Sequence, residues 1–214
     1  MISRRTMIQN SAGLVAAAGL TPLLGGAVWA QAGKADVEKL KVAGPLGEMA
    51  LGDPNAPVTV VEYASMTCGH CANFHNNTYT PFKEKYIESG QVFFIFREFP
   101  LDPVATAVAM LARCAPEGKF FDTVEVFFER QREWASSENV VAELQKIAFQ
   151  LGFTQETFKD CLTNQELLDG VNWVRKRADQ EFKVASTPTF FFNGTRQIGS
   201  MTIEEVDAVI QPML

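Results

Sequence analysis

The chain has 214 residues, with 19 Lys and Arg against 25 Asp and Glu and a formal net charge of −6. That length suits one domain, or one domain carrying an insertion, and 47% hydrophobic with 21% charged residues excludes wholesale disorder and collagen-like structure. The acidic balance argues against a nucleic-acid binder, and no internal repeat points to a solenoid or propeller.

Residues 1–30 read as a secretory leader. Arg4 and Arg5 are its only charges, an Ala-, Gly- and Leu-rich stretch follows, and Val28-Trp29-Ala30 resembles a signal-peptidase site before Gln31. Ser3-Arg4-Arg5-Thr6-Met7-Ile8 resembles a twin-arginine signal, although Arg-Arg also opens ordinary signals. An uncleaved membrane anchor is the alternative, weakened by Gly13, Gly19, Pro22, Gly25 and Gly26. Beyond the leader the chain carries 17 basic and 25 acidic residues, a formal charge of −8. The chain is expected to be exported.

Residues 31–52 are mixed and polar and read as an extended arm. After the turn Asp53-Pro54-Asn55-Ala56-Pro57, the β-branched run Val58–Tyr63 predicts a buried strand. Cys68-Gly69-His70-Cys71 follows, then a helix carrying Phe74, Phe82 and Tyr86, with Pro81 inside it as a kink and Gly90 at its end. Gln91–Phe96 predicts a second strand buried on both faces.

Asp102-Pro103 predicts an N-cap with Pro at N1, and the chain reads as helical from there to about Lys183. Thr189–Phe192 is a strand, Asn193-Gly194 a hairpin turn, and Gln197-Ile198 a short partner. Thr202 and Glu205 form a capping box, with Met201 and Val206 as a hydrophobic staple. The fold class is therefore α/β. Residues 53–102 and 184–214 join into one sheet domain, and residues 103–183 form an all-helical insertion.

The chemistry centres on C-x-x-C. Zinc wants four ligands, and the other cysteines lie 43 and 90 residues beyond Cys71, so no metal is expected. Haem attachment wants His after the second Cys, where Ala72 stands. No other cofactor motif is present. The redox reading fits: a C-x-x-C that follows a strand and opens a helix. Cys68 at the helix N-terminus gains thiolate character from free N–H groups and the macrodipole. His70 adds positive charge or a hydrogen bond. Cys71, one turn deeper, is the resolving thiol. Stabilising the Cys68 thiolate makes the disulfide form an oxidant.

Glu62 lies six residues before Cys68. Two readings stay open for it: a buried proton acceptor for Cys71, or a solvent-facing residue on an edge strand. Thr187-Pro188 precedes the late strand, and a cis bond there would present a backbone edge to a substrate peptide beside the cysteines. Cys114 and Cys161, the even pair left over in an exported chain, are expected to form a structural disulfide.

The stretch Leu51–Val60 running into Met66-Thr67-Cys68-Gly69-His70-Cys71 resembles the bacterial periplasmic thiol:disulfide oxidoreductases of the DsbA type. The resemblance covers about residues 45–213. It implies a thioredoxin-like fold with an inserted helical domain. It also implies Cys68 as nucleophile, Cys71 as its partner, Glu62 as the buried acid and Pro188 as the cis-proline, with Thr187 beside it in the substrate edge. The Gly-His pair between the cysteines is also similar to protein disulfide isomerases, and a second disulfide is similar to an alphaproteobacterial subgroup. The implied activity introduces disulfide bonds into reduced or unfolded exported polypeptides. The implied re-oxidising partner is a quinone-linked membrane oxidase of the DsbB kind. A monomer is expected, because only about 25 residues separate the leader from the first strand and leave no room for a dimerisation domain. Competing readings are a disulfide isomerase or reductase of the same fold, and a non-enzymatic periplasmic chaperone or metal carrier.

Overall fold

The computed structural model describes residues 34–214, so the expected leader and its cleavage site lie outside the described residues. Five strands form one mixed sheet in the order β1-β3-β2-β4-β5. These are β1 (Met49–Leu51), β2 (Val58–Ala64), β3 (Val92–Glu98), β4 (Thr189–Phe192) and β5 (Thr195–Ile198). Only β2 and β3 run parallel, because the helix between them carries the chain back over the sheet. The other three pairings are antiparallel.

Strand β2 is buried along its whole length and sits at the centre of the sheet. Its side chains alternate between two cores. Val58 and Val60 join Phe94, Phe96, Phe190 and Phe192 on one face. Val61 and Tyr63 join Ile95 and Phe191 on the other. The paired phenylalanines of β3 and β4 thus serve both faces, as strands covered on two sides require.

The arm is more ordered than its composition suggests. Asp36 caps α1 (Val37–Leu40) by accepting from the Glu38 and Lys39 N–H groups, and Leu40 is buried under the sheet. Residues Met49–Leu51 add an edge strand to β3, so the expected arm contributes to the sheet. Buried Arg97 of β3 fastens this segment. Its guanidinium donates to the Leu40 carbonyl at 2.6 Å, to Glu48 at 3.0 Å and to the Tyr63 hydroxyl at 2.9 Å.

The helix after β2 runs from Gly69 to Ile87 as α2 (Gly69–Phe74), a π turn (His75–Tyr79), α3 (Thr80–Phe82) and a second π turn (Lys83–Ile87). Pro81 has no N–H to give the preceding turn, and the widened turns on either side take up the mismatch. The irregularity expected at Pro81 is thus spread over both neighbouring turns. Gly90 ends the run at φ 77°.

Between β3 and β4 come six helices: α4 (Pro103–Arg113), α5 (Phe120–Glu129), α6 (Gln131–Ala135), α7 (Val140–Gln150), α8 (Gln155–Leu162) and α9 (Gln165–Phe182). Asp102 caps α4 by accepting from Ala105 N at 2.8 Å, with Pro103 at N1. A disulfide joins Cys114, just past α4, to Cys161 in α8. Helix α9 has two packing partners. Leu167 and Val171 belong with the inserted helices, while Val174, Ala178 and Phe182 cover the second face of the sheet.

The β4–β5 hairpin turns through Asn193 and Gly194 at φ 44° and 83°. A Cβ at Gly194 would lie 2.3 Å from the Ala35 carbonyl oxygen, so only glycine fits. The last helix, α10 (Ile203–Ile210), opens with the Thr202–Glu205 capping box, and Met201 and Val206 are buried against it. No helix among the described residues is long and apolar enough to cross a membrane.

Candidate active site

Strand β2 delivers the chain to Cys68, which is the N-cap residue of α2, with extended backbone and no side-chain cap of its own. The first N–H groups of α2 are therefore available to the Cys68 sulfur. Cys68 and Cys71 are both thiols, Cys68 partly exposed and Cys71 buried. The Cys68 thiol is lowered to about 5. The Cys71 thiol contributes most, by hydrogen bonding to the thiolate. Partial burial opposes it, and the Thr187 hydroxyl and the backbone N–H groups of Cys71 and His70 add to it. Cys71 moves the other way. Burial pushes its thiol well up, helped by the neighbouring Cys68 sulfur and by the charge of Glu62. One sulfur is thus held toward its thiolate and the other toward its thiol.

His70 is exposed, and its ring makes no hydrogen bond with the sulfur among the described residues. Its contribution comes from the backbone N–H. The Cys71 thiol is the largest of the donors that favour the thiolate.

The Thr187–Pro188 bond is cis. The Thr187 carbonyl accepts from the Cys68 thiol at 3.2 Å, which places this loop against the sulfur. Thr187 acts on Cys68 in two ways. Its carbonyl favours the thiol, whereas its hydroxyl, buried and without a conventional hydrogen-bond partner among the described residues, favours the thiolate. The lowered pKa shows that the donors outweigh the carbonyl.

Glu62 is fully buried on β2, which sets aside the solvent-facing reading. Its strand neighbours are Phe96 and Phe190, and both carboxylate oxygens face Nε2 of His75, at 3.2 and 3.1 Å. His75 lies outside the C-x-x-C motif, and no sequence motif singles it out. Among the described residues no cluster of three His, Cys, Asp or Glu side chains is arranged to hold a metal ion.

A further residue was missed. Gln131, at the start of α6, is buried and donates from its amide to the Met66 carbonyl at 2.7 Å and the Cys68 carbonyl at 3.1 Å. The inserted helices therefore hold the active-site loop directly. On the same side, a cleft of about 300 Å³ opens between α2 and the α5–α6 corner, walled by Asn73, Asn76, Asn77, Phe128, Gln131 and Arg132 among others.

A family model described as thioredoxin matches residues 46–212. The chain belongs to the thioredoxin family. Within it the resemblance is to the DsbA type: the crystal structure of alpha-DsbA1 from Wolbachia pipientis superposes with a TM-score of 0.77 at 29% identity, over 83% of this chain and 96% of that one. A structure titled protein-disulfide isomerase from Novosphingobium aromaticivorans superposes at 0.67 with 25% identity, over 80% of this chain and 98% of that one. A Rickettsia conorii protein named "Putative protein-disulfide oxidoreductase" is 31% identical over 172 residues, 78% of this chain. The match spans 60% of that relative's length. In thioredoxin-family terms, the sheet and α2 supply the redox pair, and the six helices between β3 and β4 are the insertion of the DsbA type.

Proposed function

We propose that this protein is a thiol:disulfide oxidoreductase that introduces disulfide bonds into exported proteins. The observation that carries the reading is the contrast between Cys68, lowered to about 5, and the buried Cys71 beside it, raised well above the ordinary thiol range. A substrate thiolate attacks Cys68 in the oxidised protein, and Cys71 leaves. A second substrate thiol then displaces Cys68, which departs readily as a stable thiolate. Substrate leaves oxidised by two electrons and the Cys68–Cys71 pair is reduced by two. Glu62 exchanges the Cys71 proton, and the Thr187–Pro188 edge receives the extended substrate chain.

The rest of the reading concerns the cell. The substrates are reduced or unfolded polypeptides, and a quinone-linked membrane oxidase of the DsbB kind restores the disulfide. The protein acts as a periplasmic monomer, delivered by the leader in residues 1–30. The likeness to a structure titled protein-disulfide isomerase supports a second reading, isomerase, with the same two sulfurs. The redox equilibrium of Cys68–Cys71 against glutathione, combined with oxidation of a dithiol peptide, tests the proposal. A strongly oxidising pair that transfers its bridge stoichiometrically supports the oxidase. A strongly reducing pair that only shuffles scrambled disulfides favours the isomerase.

A further inference from the structure

Cys71 and His75 stand four residues apart on the helix that follows the redox pair, and so share the face turned toward the sheet. On that face lies Glu62, fully buried between Phe96 and Phe190 in the register of the sheet. A carboxylate taken from water needs hydrogen-bond donors. Nε2 of His75 is the only donor it meets among the described residues, and it faces both oxygens. The His75 ring is itself enclosed by aromatic groups: it stacks on Phe128 of α5 at 4.4 Å and lies against Tyr79 at 4.8 Å, Phe74 and Phe96. Its Nδ1 is buried with no partner among the described residues. A proton there would be stranded, so the ring is assigned neutral with its proton on Nε2, donated to Glu62. The other ionisable groups on this side are the two cysteines of the same helix, the Tyr79 hydroxyl, and Asp122 and Glu125 of α5, which bear on Tyr79.

We propose that His75 is the positioning residue of a proton store for Cys71. It holds Glu62 in a state able both to give and to take one proton inside the apolar wall. The inference rests on the oxidoreductase reading above and assigns the proton traffic within it. In the oxidised protein the Glu62 carboxyl carries the proton. When a substrate thiolate attacks Cys68, the Cys68–Cys71 bond breaks, the substrate–Cys68 bond forms, and the departing Cys71 thiolate takes the proton from Glu62. The carboxylate left behind is stabilised by the His75 N–H. During re-oxidation Cys68 attacks the disulfide of the oxidising partner. Cys71 then returns its proton to Glu62 and attacks Cys68, and the partner's sulfur leaves as a thiolate. The store ends as it began, and both half-reactions balance without a buried unpaired charge on Cys71.

The test is the rate at which Cys71 resolves a Cys68–glutathione mixed disulfide, followed against pH in the whole protein. Two variants separate a donor from a packing role. His75→Phe keeps the aromatic stack and removes the donor. His75→Gln keeps a donor and removes the ring. Resolution near pH 7 should fall about tenfold or more in His75→Phe, with its pH profile moved upward, and should return most of the way in His75→Gln. Alkylation of Cys68 should change less than about twofold in both, since neither variant touches that sulfur's donors. Glu62→Gln should reproduce the His75→Phe profile, and adding His75→Phe to it should cost little more, because both act through one carboxyl. A His75→Phe profile that overlays the unmodified protein, or the opposite ranking of the two variants, overturns the proposal. If His75→Phe does not fold, a Glu62→Gln profile identical to the unmodified one overturns it as well. An unmodified protein that forms no mixed disulfide at Cys68 would instead overturn the oxidoreductase reading itself, and this inference with it.

Discussion

The Cys68 sulfur donates to the carbonyl oxygen of Thr187 across 3.2 Å, although 119 residues separate them in the chain. The contact ties the N-terminus of α2 to the loop entering β4. In the proposed function it brings the attacking sulfur beside the backbone edge that receives an extended peptide. A carbonyl this close favours the protonated sulfur, so the donors around it must be strong for Cys68 to titrate at about 5.

Those donors are separable. The Cys71 thiol contributes most and the His70 ring makes no bond to the sulfur. Cys71→Ala should therefore raise the Cys68 pKa from about 5 to above about 6, and His70→Ala should leave it closer to the unmodified value. Ultraviolet absorbance of the thiolate against pH measures both. A larger effect from His70→Ala than from Cys71→Ala would show that the ring carries the charge the sequence suggested.

The same shift makes the stability of the reduced protein depend on pH. Cys68 titrates at about 5 when folded against an ordinary value of 9.0. Between those values the unfolded chain binds the proton and the native protein does not, so stability rises with pH. The contribution is complete above about pH 9 and lost as pH falls through about pH 5. The oxidised protein has no thiol at this position and lacks the effect. Melting temperatures of the two forms should move apart between about pH 5 and pH 8, the reduced form gaining. Cys68 is partly exposed, so solvent screening tempers the gain. Cys68→Ala, which forms no disulfide with Cys71, should lack the gain that the reduced protein shows over this range.

How much of this was visible in the sequence follows from how far each residue must reach. Cys68 and Cys71 are local: a strand, a short loop and a helix start place them without any distant partner. The Thr202–Glu205 box and the Asn193-Gly194 turn are local in the same sense. Glu62 was ambiguous because burial of a strand on two faces depends on what covers it, here Phe96 and Phe190 from strands far along the chain. Met49–Leu51 carries no β-branched run, and its strand exists because β3 offers an open edge. The double duty of α9 was hidden for another reason. A single apolar stripe does not tell which of two cores it serves. His75 and Gln131 act through contacts with residues distant in the chain, and such contacts leave no spacing signal.

The bridge between Cys114 and Cys161 closes 47 residues of chain between α4 and α8. A loop of that length constrains the unfolded chain by about 4 kcal/mol in the chain-entropy model. The double variant Cys114→Ala, Cys161→Ala should therefore lower the unfolding free energy by up to about that amount, measured by urea denaturation of the Cys68–Cys71 disulfide form. Dithiol oxidation by the folded variant should persist, because neither sulfur belongs to the active-site cluster. Loss of oxidation in a variant that remains folded would assign this bridge a part in the chemistry.

Gln131 is where the insertion meets the redox pair. Its amide donates both to Met66 and to Cys68, at 2.7 and 3.1 Å, so one side chain holds the carbonyls of the residues on either side of Thr67. The Cys68 carbonyl also accepts the first helical bond, from Ala72 N at 3.1 Å. Loss of the amide would leave α2 started but its entry loop untethered. Thr67 retains its own link, donating to Asp102 at 2.5 Å, so the loop would loosen without detaching. Gln131→Ala should cost about 1–3 kcal/mol, because it strands the Met66 carbonyl in a largely buried corner and leaves the Cys68 carbonyl with only its bond from Ala72 N. Gln131→Glu should cost at least as much, since a carboxylate cannot donate to either oxygen and repels both. The functional consequence should follow from geometry. Cys68 alkylation should become less selective over exposed thiols as its helix-terminal donors lose alignment. Hydrogen exchange should rise in residues 65–69 and stay unchanged in β3. Exchange that stays slow in that loop in Gln131→Ala would show that the sheet alone fixes Cys68, and that the insertion does not reach the redox site through this side chain.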